Sequence, residues 1–328
     1  MNTLTSRNNG SVGVIAANAI PRVKEMFIIP VTDVVRTDTI VLAIDLTIER
    51  HEEWVASDQF PDQVSDGIEE TMKIRLLTEN LASGMEWLAE WGFSAWIEYE
   101  GQKILFDSGF SQVYQHNAEL AGIDLETVDF VALSHFHRDH SRGLLFHPFK
   151  KKKKLLLHPR ILTAKYKTKN EKVHHDYRNI QSLLTSDFEL IQTKEARELT
   201  AGAFFLGEIP RITAFEKGCF FDDPMEDDTA LAFKTNKGAV VVSGCSHAGI
   251  CNICLYAQEV TGQELCAVIG GFHLLEDEDP PVEETIEFFK QEKPEHLLPV
   301  HCIDFDIQAR LQTIFGYDRP GAGSLIEL

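Results

Sequence analysis

The sequence predicts an α/β fold, because segments of strand character alternate with segments of helical character from about residue 73 onward. Short apolar runs such as Val128–Leu133, Ala239–Ser243 and Leu297–Val300 have the composition of buried strands. In other segments, Ile250–Val260 and Val282–Lys290, apolar residues recur at helical spacing. With 328 residues, the chain can bury one large core or two smaller ones.

The remaining elements are predicted from the same two patterns. Apolar, β-branched and aromatic residues bounded by turn residues predict strands at Ile74–Leu77, Phe93–Tyr99, Lys103–Phe106, Leu155–His158, Phe188–Gln192, Ala203–Leu206, Thr229–Lys234 and Leu265–Ile269. Helical spacing predicts two further helices, at Ser111–Leu120 and Asp304–Phe315. Glycine marks the turns, as in Glu100-Gly101 and in Thr235-Asn236-Lys237-Gly238, which predicts a hairpin.

Residues 1–71 differ from the rest of the chain. Val31–Leu46 contains β-branched residues that predict a strand or hairpin, whereas Glu49–Glu70 is acidic and weakly periodic. This segment is interpreted as an added element, a poorly ordered arm or the product of an upstream start codon. We therefore predict an N-terminal extension of undetermined order over residues 1–71 and one domain over residues 72–328.

The composition argues against a nucleic-acid partner. The chain has 31 lysine and arginine residues against 51 aspartate and glutamate residues, which gives a formal charge of −20 at pH 7. Such a surface repels phosphate backbones at long range. One local exception is the run of five lysines at Lys150–Lys154. We interpret this run either as a solvated loop or as a basic lid that attracts an anionic substrate.

We expect a cytoplasmic protein that does not enter a membrane. The sequence contains no apolar run of about 18 residues, the length needed to cross a bilayer. The N-terminus lacks the basic and apolar regions of an export signal. Without export, the six cysteines are expected to be reduced thiols rather than a disulfide framework. The sequence does not indicate an oligomeric state.

The most informative segment is His135-Phe136-His137-Arg138-Asp139-His140, which directly follows an apolar run of strand length. Side chains alternate along a strand, so His135 and His137 are expected on the same side. Asp139 and His140 follow on the turn out of the strand. Imidazole and carboxylate ligands suit zinc, iron or manganese, whereas calcium prefers oxygen ligands only. The alternative is a histidine-rich surface loop, but further histidines follow two later strand-like runs.

This H-x-H-x-D-H pattern is the signature of the metallo-β-lactamase superfamily, which the chain resembles over roughly residues 72–328. Ile104–Gly109 is similar to the early strand-Asp-[ST]-Gly element of that fold. The chain resembles one branch of this superfamily more closely than the rest. This branch consists of the 7,8-dihydropterin-6-methyl-4-(β-D-ribofuranosyl)aminobenzene-5′-phosphate synthase-like (dihydropteroate-synthase-related) proteins. Its motifs are similar to Gly207–Arg211, Gly244–Ile250, Gly270–Leu274 and Pro299–Cys302. The resemblance implies an αββα four-layer sandwich, in which two stacked sheets are covered by helices on both outer faces.

The resemblance also implies a two-metal site. Two zinc ions are expected, with manganese and iron as alternatives. By the superfamily pattern, His135 and His137 bind one metal, while Asp139 and His140 bind the other. Asp139 is for this reason also a candidate catalytic residue. His301, which directly follows a strand-like run, matches a late histidine ligand of the superfamily.

The sequence leaves the bridging ligand open. In most of the superfamily an aspartate bridges the metals at about the place where Gly244-Cys245-Ser246-His247 stands here. Either Cys245 or His247 fills this role, or the bridge is missing; we favour His247. The usual mid-chain histidine ligand also has no clear equivalent between Asp187 and Asp228. If His247 takes that place, the bridging position is left to water.

Other residues are expected to support the site. His273 either binds a metal or exchanges a proton with the substrate, so it is the second candidate for catalysis. Asp107 is expected to hold the second N–H group of a ligand histidine, or its own loop. Asp227 and Asp228 are expected in a solvated turn rather than at a metal. The remaining candidates, which either face the substrate or support the loops around it, are Glu79, Asn80, Glu208 and Arg211.

These residues predict an enzyme that acts on a small anionic molecule by hydrolase-type chemistry, with a metal-bound hydroxide as the nucleophile. The name of the resembled branch implies a rival reaction, the transfer of a dihydropterin-methyl group to an arylamine. Two other classes stay open. One is an iron-loaded redox protein, which is expected to carry glutamate where His137 stands. The other is a non-catalytic module that binds a small ligand on the same scaffold.

Overall fold

A computed structural model describes residues 2–8, 11–17, 29–30, 72–163, 175–216, 218–220, 223–275 and 280–328. The chain divides into two compact units, Met1–Asp66 and Gly67–Leu328. In the first unit, an antiparallel sheet has the order β1-β2-β3 and consists of β1 (Asn2–Asn8), β2 (Ser11–Ala17) and β3 (Ile29–Pro30). The hairpin predicted at Val31–Leu46 lies outside the described residues. The predicted boundary between residues 71 and 72 stays a prediction.

The second unit contains two sheets and helices in alternation. Its strands are β4 (Lys73–Thr78), β5 (Ser94–Tyr99), β6 (Gln102–Phe106), β7 (Phe130–Ala132), β8 (Lys153–Leu157), β9 (Phe188–Gln192), β10 (Arg197–Thr200), β11 (Ala203–Phe205), β12 (Ala230–Lys234), β13 (Ala239–Ser243), β14 (Leu265–Gly271), β15 (His296–Val300) and β16 (Leu325–Glu327). Its helices are α1 (Val113–Leu120), α2 (Arg138–Ser141), α3 (His175–Asp187), α4 (Ile250–Thr261), α5 (Val282–Glu292) and α6 (Phe305–Phe315).

Each sheet is antiparallel at one end and parallel at the other. The first has the order β16-β4-β5-β6-β7-β8-β9, and its strands from β6 to β9 are parallel. The second has the order β10-β11-β12-β13-β14-β15, with β13, β14 and β15 parallel. Parallel strands need helical crossovers, and α4 and α5 provide them in the second sheet.

Burial of alternate residues places the sheets face to face between two layers of helices. Val240 and Val242 of β13 pack in the core between the sheets, whereas Val241, between them in sequence, packs against the helices on the outer face. The core outside the second sheet includes residues of α4, α5 and α6, and a third core beneath α1 and α3 covers the first sheet. Because both faces of each sheet are covered, the strands are apolar throughout rather than alternating. The predicted α/β four-layer sandwich is confirmed.

In the second unit, the strands that the sequence failed to predict lie at sheet edges. β10 (Arg197–Thr200) and β16 (Leu325–Glu327) contain only exposed or half-buried residues. Such short, exposed segments lack the continuous apolar signal of a central strand. Helix α3 was also not predicted. Among the residues that the structure describes, no helix has the length and apolar character needed to span a membrane.

The lysine run lies away from the metal motif. Lys153 and Lys154 begin β8, and Lys154 pairs with Phe130 at the start of β7. Because β7 and β8 are parallel, these lysines lie at the amino end of the strands, whereas His135 follows the carboxyl end of β7. The basic-lid interpretation is therefore wrong for Lys150–Lys154, whose exposure agrees with the solvated-loop interpretation. The predicted lid also included Arg160 and, outside the described residues, Lys165, Lys167, Lys169 and Lys172.

Candidate metal centre

The carboxyl ends of six strands, three from each sheet, meet at one edge of the sandwich. The loops after β4, β6, β7, β13, β14 and β15 bring the predicted site residues there. The ring centres of His135 and His140 are 4.2 Å apart, and those of His140 and His301 are 4.9 Å apart. His247 lies 4.7 Å from His137 and 4.0 Å from His273 by the same measure. The structure thus gathers all six predicted histidines into one cluster.

Sharp turns at the strand ends give the loops their direction. Four non-glycine residues of this edge have left-handed backbone angles: Asp107 (φ 56°), Ser246 (φ 63°), His273 (φ 49°) and His301 (φ 58°). This conformation costs roughly 1–3 kcal/mol for a residue with a side chain and persists only where the surroundings impose it. Each of these residues follows the end of a strand, so the strained turn directs the chain across the sheet edge.

A glycine allows the two sheets to approach each other at the site. A Cβ atom at Gly244 would lie 2.1 Å from Oγ of Ser134 and 2.8 Å from Oδ2 of Asp107. Any other residue would therefore push the loop that carries Cys245 away from the histidine motif. The close approach of this loop to the Ser134 and Asp107 side chains therefore requires glycine at residue 244.

Asp107 sets the orientation of two histidines. Its Oδ2 lies 2.7 Å from Nδ1 of His140, and it also accepts a hydrogen bond from the Ser134 hydroxyl at 2.6 Å. The Ser134 oxygen in turn lies 2.8 Å from Nδ1 of His135. Because acceptors face both Nδ1 atoms, the protons belong there and the Nε2 lone pairs are left for a cation.

His301 is oriented by the loop after β4. Its Nδ1 lies 3.1 Å from Oδ1 of Asn80, whose amide donates to the His301 carbonyl at 2.8 Å. Its backbone N–H donates to the carboxylate of the buried Glu79 at 2.8 Å, and Arg319 donates to the same oxygen at 2.9 Å. Nε2 of His301 then faces Nε2 of His140 at 3.1 Å. Two imidazole nitrogens directed at one point are what a shared metal ion requires.

Cys245 occupies the centre of the cluster. Among the described residues, its sulfur belongs to three groups of possible ligand atoms, and in each group all atoms lie within 4.8 Å of one another. The first group adds His135 and His247, the second His140 and His301, and the third His273 and Cys302. Cys245 is thus the side chain shared by the two halves of the motif, whereas His247 belongs to one half. The sequence alone could not choose between these two residues.

A second thiol adjoins Cys245. The sulfur atoms of Cys245 and Cys302 are 3.0 Å apart, and Nδ1 of His273 lies 3.7 Å from the Cys245 sulfur. Burial opposes ionisation of both thiols, but the hydrogen bond from Cys245 and the nearby His301 lower the pKa of Cys302 well below its usual range. In the metal-free protein the negative charge of the pair thus lies on Cys302, whereas burial and the neighbouring Cys302 raise the pKa of Cys245 well above its usual range. A thiolate is a strong ligand for zinc.

Burial keeps the central imidazoles neutral. It lowers the pKa of His135 and His247 well below the usual value, and the neighbouring histidines lower it further. Nε2 of His135 and both ring nitrogens of His247 are buried and have no hydrogen-bond partner among the residues that the structure describes. Buried polar atoms normally have one. Neutral rings with free lone pairs fit a metal ion, since metal ligands must be deprotonated.

The opposite charges in the motif stabilise each other. Burial lowers the pKa of His140, but the carboxylates of Asp107 and Asp139 outweigh it and raise that pKa to about 9. Burial raises the pKa of Asp139, but His140 and His301 outweigh it and lower that pKa well below its usual range. Asp139 Oδ2 lies 3.5 Å from Nε2 of His301. In the metal-free protein His140 therefore also carries a proton on Nε2, which faces Nε2 of His301, and a cation bound there would replace that proton.

The expectation of a solvated turn at Asp227 and Asp228 is wrong, because both side chains are fully buried. Asp227 accepts the backbone N–H of Phe136 at 3.0 Å and pairs with Arg160 at 3.3 Å, so it holds the histidine motif. Asp228 accepts the backbone N–H of Ala248 at 2.8 Å. Burial raises the pKa of Asp228 to about 7. Its other oxygen lies 4.0 Å from Nδ1 of His135 and has no hydrogen-bond partner within the described part of the chain.

Glu208 and Arg211 lie beside the site rather than in the histidine cluster. Glu208 lies 3.5 Å from Lys194 Nζ and 3.6 Å from His158 Nε2. Arg211 donates to the backbone carbonyls of Ile209, Gly218, Pro224 and Met225. Both residues line an open cavity of about 500 Å³. The Arg211 guanidinium is thus bound to its own loop.

Sequence reasoning missed several residues of the site. Ser134 connects Asp107 to His135, and its only signal was its place directly before the motif. Cys302 was part of a recognised motif but was given no role. Trp91 and Phe220, whose rings lie beside ligand histidines, carried no signal because neither belongs to a motif.

The fold and this site define a class of protein. Residues 92–176 match the family model of the Metallo-beta-lactamase superfamily. Solved structures of the metallo-β-lactamase fold match the chain as well. The chain is therefore an enzyme of the metallo-β-lactamase fold, and the predicted resemblance is confirmed.

Individual relatives narrow this class. The chain is 29% identical to a protein of Methanocaldococcus jannaschii named 7,8-dihydropterin-6-methyl-4-(beta-D-ribofuranosyl)-aminobenzene-5'-phosphate synthase, in an alignment 287 residues long that covers 79% of this chain and 97% of the relative. It is also 29% identical to an uncharacterised protein of the same organism, in an alignment 265 residues long that covers 77% of this chain and 99% of that protein. The solved structure of Tm1679, described as a metal-dependent hydrolase of the beta-lactamase superfamily, is 29% identical to this chain and superposes with a TM-score of 0.66. The match covers 78% of this chain and 99% of the Tm1679 chain. YhfI from Bacillus subtilis shares the fold. It is 17% identical to this chain, with a TM-score of 0.50, and the match covers 79% of this chain and 100% of the YhfI chain.

Proposed function

We propose that the protein is a dinuclear metal enzyme, with zinc as the expected metal, that acts on a small substrate at the histidine cluster. The observation that carries this proposal is the position of Cys245, whose sulfur joins the His135–His247 ligand group to the His140–His301 group. The unpartnered nitrogens of His135 and His247 support it, because buried imidazoles without partners are otherwise costly. Imidazole and thiolate donors suit zinc.

Each metal has its own set of ligands in this proposal. His135, His137 and His247 would hold the first. Asp139, His140 and His301 would hold the second. Cys245 would be the ligand that both metals share, a role for which the ligand groups that contain its sulfur favour it over His247.

The chemistry follows from the residues around the metals. Two adjacent cations would lower the pKa of a water molecule and polarise the bond under attack. His273, whose Nδ1 is 3.7 Å from the Cys245 sulfur, would exchange a proton with the substrate. Cations of the protein near the site are paired, as Arg319 is with Glu79 and Arg160 with Asp227. Recognition of an anionic substrate would therefore rest mainly on the metals.

A second candidate reaction is a synthase-type transfer that joins a dihydropterin to an arylamine. The relative of that name supports it, since the match extends over 97% of the relative. Hydrolysis is supported by Tm1679, which is equally similar to this chain and is described as a hydrolase. We place hydrolase-type chemistry first, because metal-activated water requires only the groups described above. A cytoplasmic location is part of the same proposal.

Metal analysis combined with a substrate panel tests the proposal. The purified protein should bind two metal ions per chain after reconstitution, and it should show metal-dependent turnover of a phosphoester, lactone or thioester, or of a dihydropterin with an arylamine. His137→Ala should lose metal and activity while remaining folded by circular dichroism. His147→Ala is the matched control, because His147 pairs with Glu126 outside the cluster.

Three results would contradict the proposal. Full activity of His137→Ala would exclude the metal mechanism. No metal-dependent turnover of any panel member would support a binding module. Iron with redox-active absorption would support a redox protein instead.

A further inference from the structure

An aromatic side chain that is not a metal ligand lies beside each half of the histidine cluster. The ring centre of Trp91 is 5.4 Å from that of His301. The ring centre of Phe220 is 4.9 Å from that of His137. His301 and His137 belong to the two different ligand sets of the proposed centre, so each metal position has an aromatic neighbour.

Trp91 is exposed although its backbone is firmly held. Its side chain is 54% exposed, which is a large apolar surface to leave in water beside a cluster of buried groups. The next residues are anchored to the metal loop, since the N–H of Phe93 donates to the carbonyl of Asp139 at 3.1 Å. A Cβ atom at Gly92 would lie 2.6 Å from that same carbonyl oxygen, so the chain runs too close for another residue. The indole ring of Trp91 is thus exposed to solvent, while the backbone next to it is held by contacts with the metal loop.

Phe220 is held in a comparable way. Its backbone N–H and carbonyl form a pair of hydrogen bonds with Asp223, at 2.9 and 3.0 Å. The carboxylate of Asp223 accepts a hydrogen bond from Arg160 at 2.8 Å. The phenyl ring is half-buried and also lies 5.1 Å from His247 and 5.8 Å from His273. Neither aromatic ring can coordinate a metal, yet both are fixed next to its ligands.

We propose that Trp91 and Phe220 are specificity-determining residues that bind a planar aromatic group of the substrate beside the metals. This inference deepens the proposed function and rests on it, because the ring belongs to the substrate of that site. Rigid aromatic side chains bind flat rings through stacking and apolar contact with little loss of conformational entropy. A substrate without a ring would leave the Trp91 surface in water.

Binding of small probes to the full-length, metal-loaded protein tests the inference. The aromatic probes are 6-hydroxymethyl-7,8-dihydropterin and 4-aminobenzoate, and ribose 5-phosphate is the non-aromatic anion. Trp91→Ala should weaken binding of at least one aromatic probe about tenfold, whereas Trp91→Phe should retain most of it. Phe220→Ala should weaken it in the same direction, with Phe220→Leu as a variant that keeps the apolar volume. Ribose 5-phosphate should bind all variants equally.

Leu88→Ala is the matched control, because Leu88 is an apolar residue of the same loop, 45% exposed, whose aliphatic side chain cannot stack on a ring. Metal content should be the same in all variants. The inference is overturned if Trp91→Ala and Phe220→Ala bind the aromatic probes as the wild type does. It is also overturned if neither aromatic probe binds the wild type.

Failure of the inference can be told apart from failure of the proposed function. Turnover with an unchanged KM in both alanine variants would leave the metal enzyme standing and remove the aromatic site. Loss of probe affinity in Trp91→Ala, in a protein without turnover of any substrate, would support the aromatic site and remove the proposed reaction.

Discussion

Oδ2 of Asp107 lies 2.7 Å from Nδ1 of His140 and accepts the hydroxyl hydrogen of Ser134 at 2.6 Å. Through Ser134 it also reaches His135, so one buried carboxylate orients histidines of both proposed ligand sets. Its φ of 56° turns the chain at the end of β6 (Gln102–Phe106) and directs the carboxylate under the motif. The left-handed backbone of Asp107 therefore places its carboxylate where it can bind both His140 and Ser134.

Asp107→Asn should weaken metal binding by about 10- to 100-fold without unfolding the protein. The amide removes the negative charge and can present an N–H group where His140 needs an acceptor. Competition with a chromophoric zinc chelator would measure the affinity. Asp129→Asn is a suitable control. Asp129 accepts a hydrogen bond from the backbone N–H of Lys103 at 2.9 Å, but it lies at the amino end of β7 (Phe130–Ala132), whereas the histidine motif follows the carboxyl end. Equal affinity in both variants would contradict the role of Asp107.

Cys245→Ala should reduce the metal content from two ions per chain to one, because the shared ligand is lost. Cys245→Asp should keep both, since carboxylate oxygen is an adequate bridging ligand. After cobalt substitution, thiolate-to-cobalt absorption should be present in the wild type and absent from both variants. Cys254→Ser, at a thiol buried in the core beneath α4 (Ile250–Thr261), should keep the absorption band. A normal band in Cys245→Ala would assign the thiolate to Cys302 instead.

Arg319→Met should destabilise the protein by about 2–4 kcal/mol, because it leaves the carboxylate of Glu79 buried without its cation. Glu79 is fully buried and lies 2.9 Å from Arg319. The free energy of unfolding in urea would show this loss. Arg310→Met should have little effect, since the side chains of Arg310 and Glu283 are 45% and 71% exposed. If both variants unfold alike, the buried pair does not anchor the loop that carries Asn80.

The central strands could be predicted from sequence because they are covered on both faces. Ala239–Ser243 was predicted with the bounds that the structure gives, since five apolar or small residues between turns leave little choice. β10 (Arg197–Thr200) could not be predicted, because an edge strand of polar residues has no pattern of its own. Local sequence also gave no reason to bury Asp227 and Asp228, whose partners Arg160 and Ala248 are distant along the chain.

The residues of the site also differ in how well they could be predicted from the sequence. The ligand types near His135 could be predicted because they stand next to one another in sequence. The bridging position could not, because the choice between Cys245 and His247 depends on how the two sheets pack. Trp91 is a similar case: its importance comes from its distance to His301, and nothing in the neighbouring sequence indicates it.

Asp228 should give the metal-free protein a defined pH dependence of stability. Burial raises the pKa of this carboxyl from 3.8 to about 7, so the folded protein holds the proton more tightly than the unfolded chain does. The contribution is fully present below about pH 4 and is lost as the pH rises through 7. Each tenfold change in a protonation equilibrium corresponds to about 1.4 kcal/mol, so the loss is on the order of a few kcal/mol.

Asp228→Asn should remove this dependence, because an amide of similar shape stays neutral at every pH. The free energies of unfolding of the two proteins, measured in urea with a metal chelator present, should diverge between about pH 4 and pH 7, where the unfolded wild-type chain has lost the proton that the folded protein keeps, so that the variant gains relative to the wild type. Parallel curves over that range would show that Asp228 is ionised in the folded protein. In that case the oxygen that lies 4.0 Å from Nδ1 of His135 would carry a negative charge in the metal-free site.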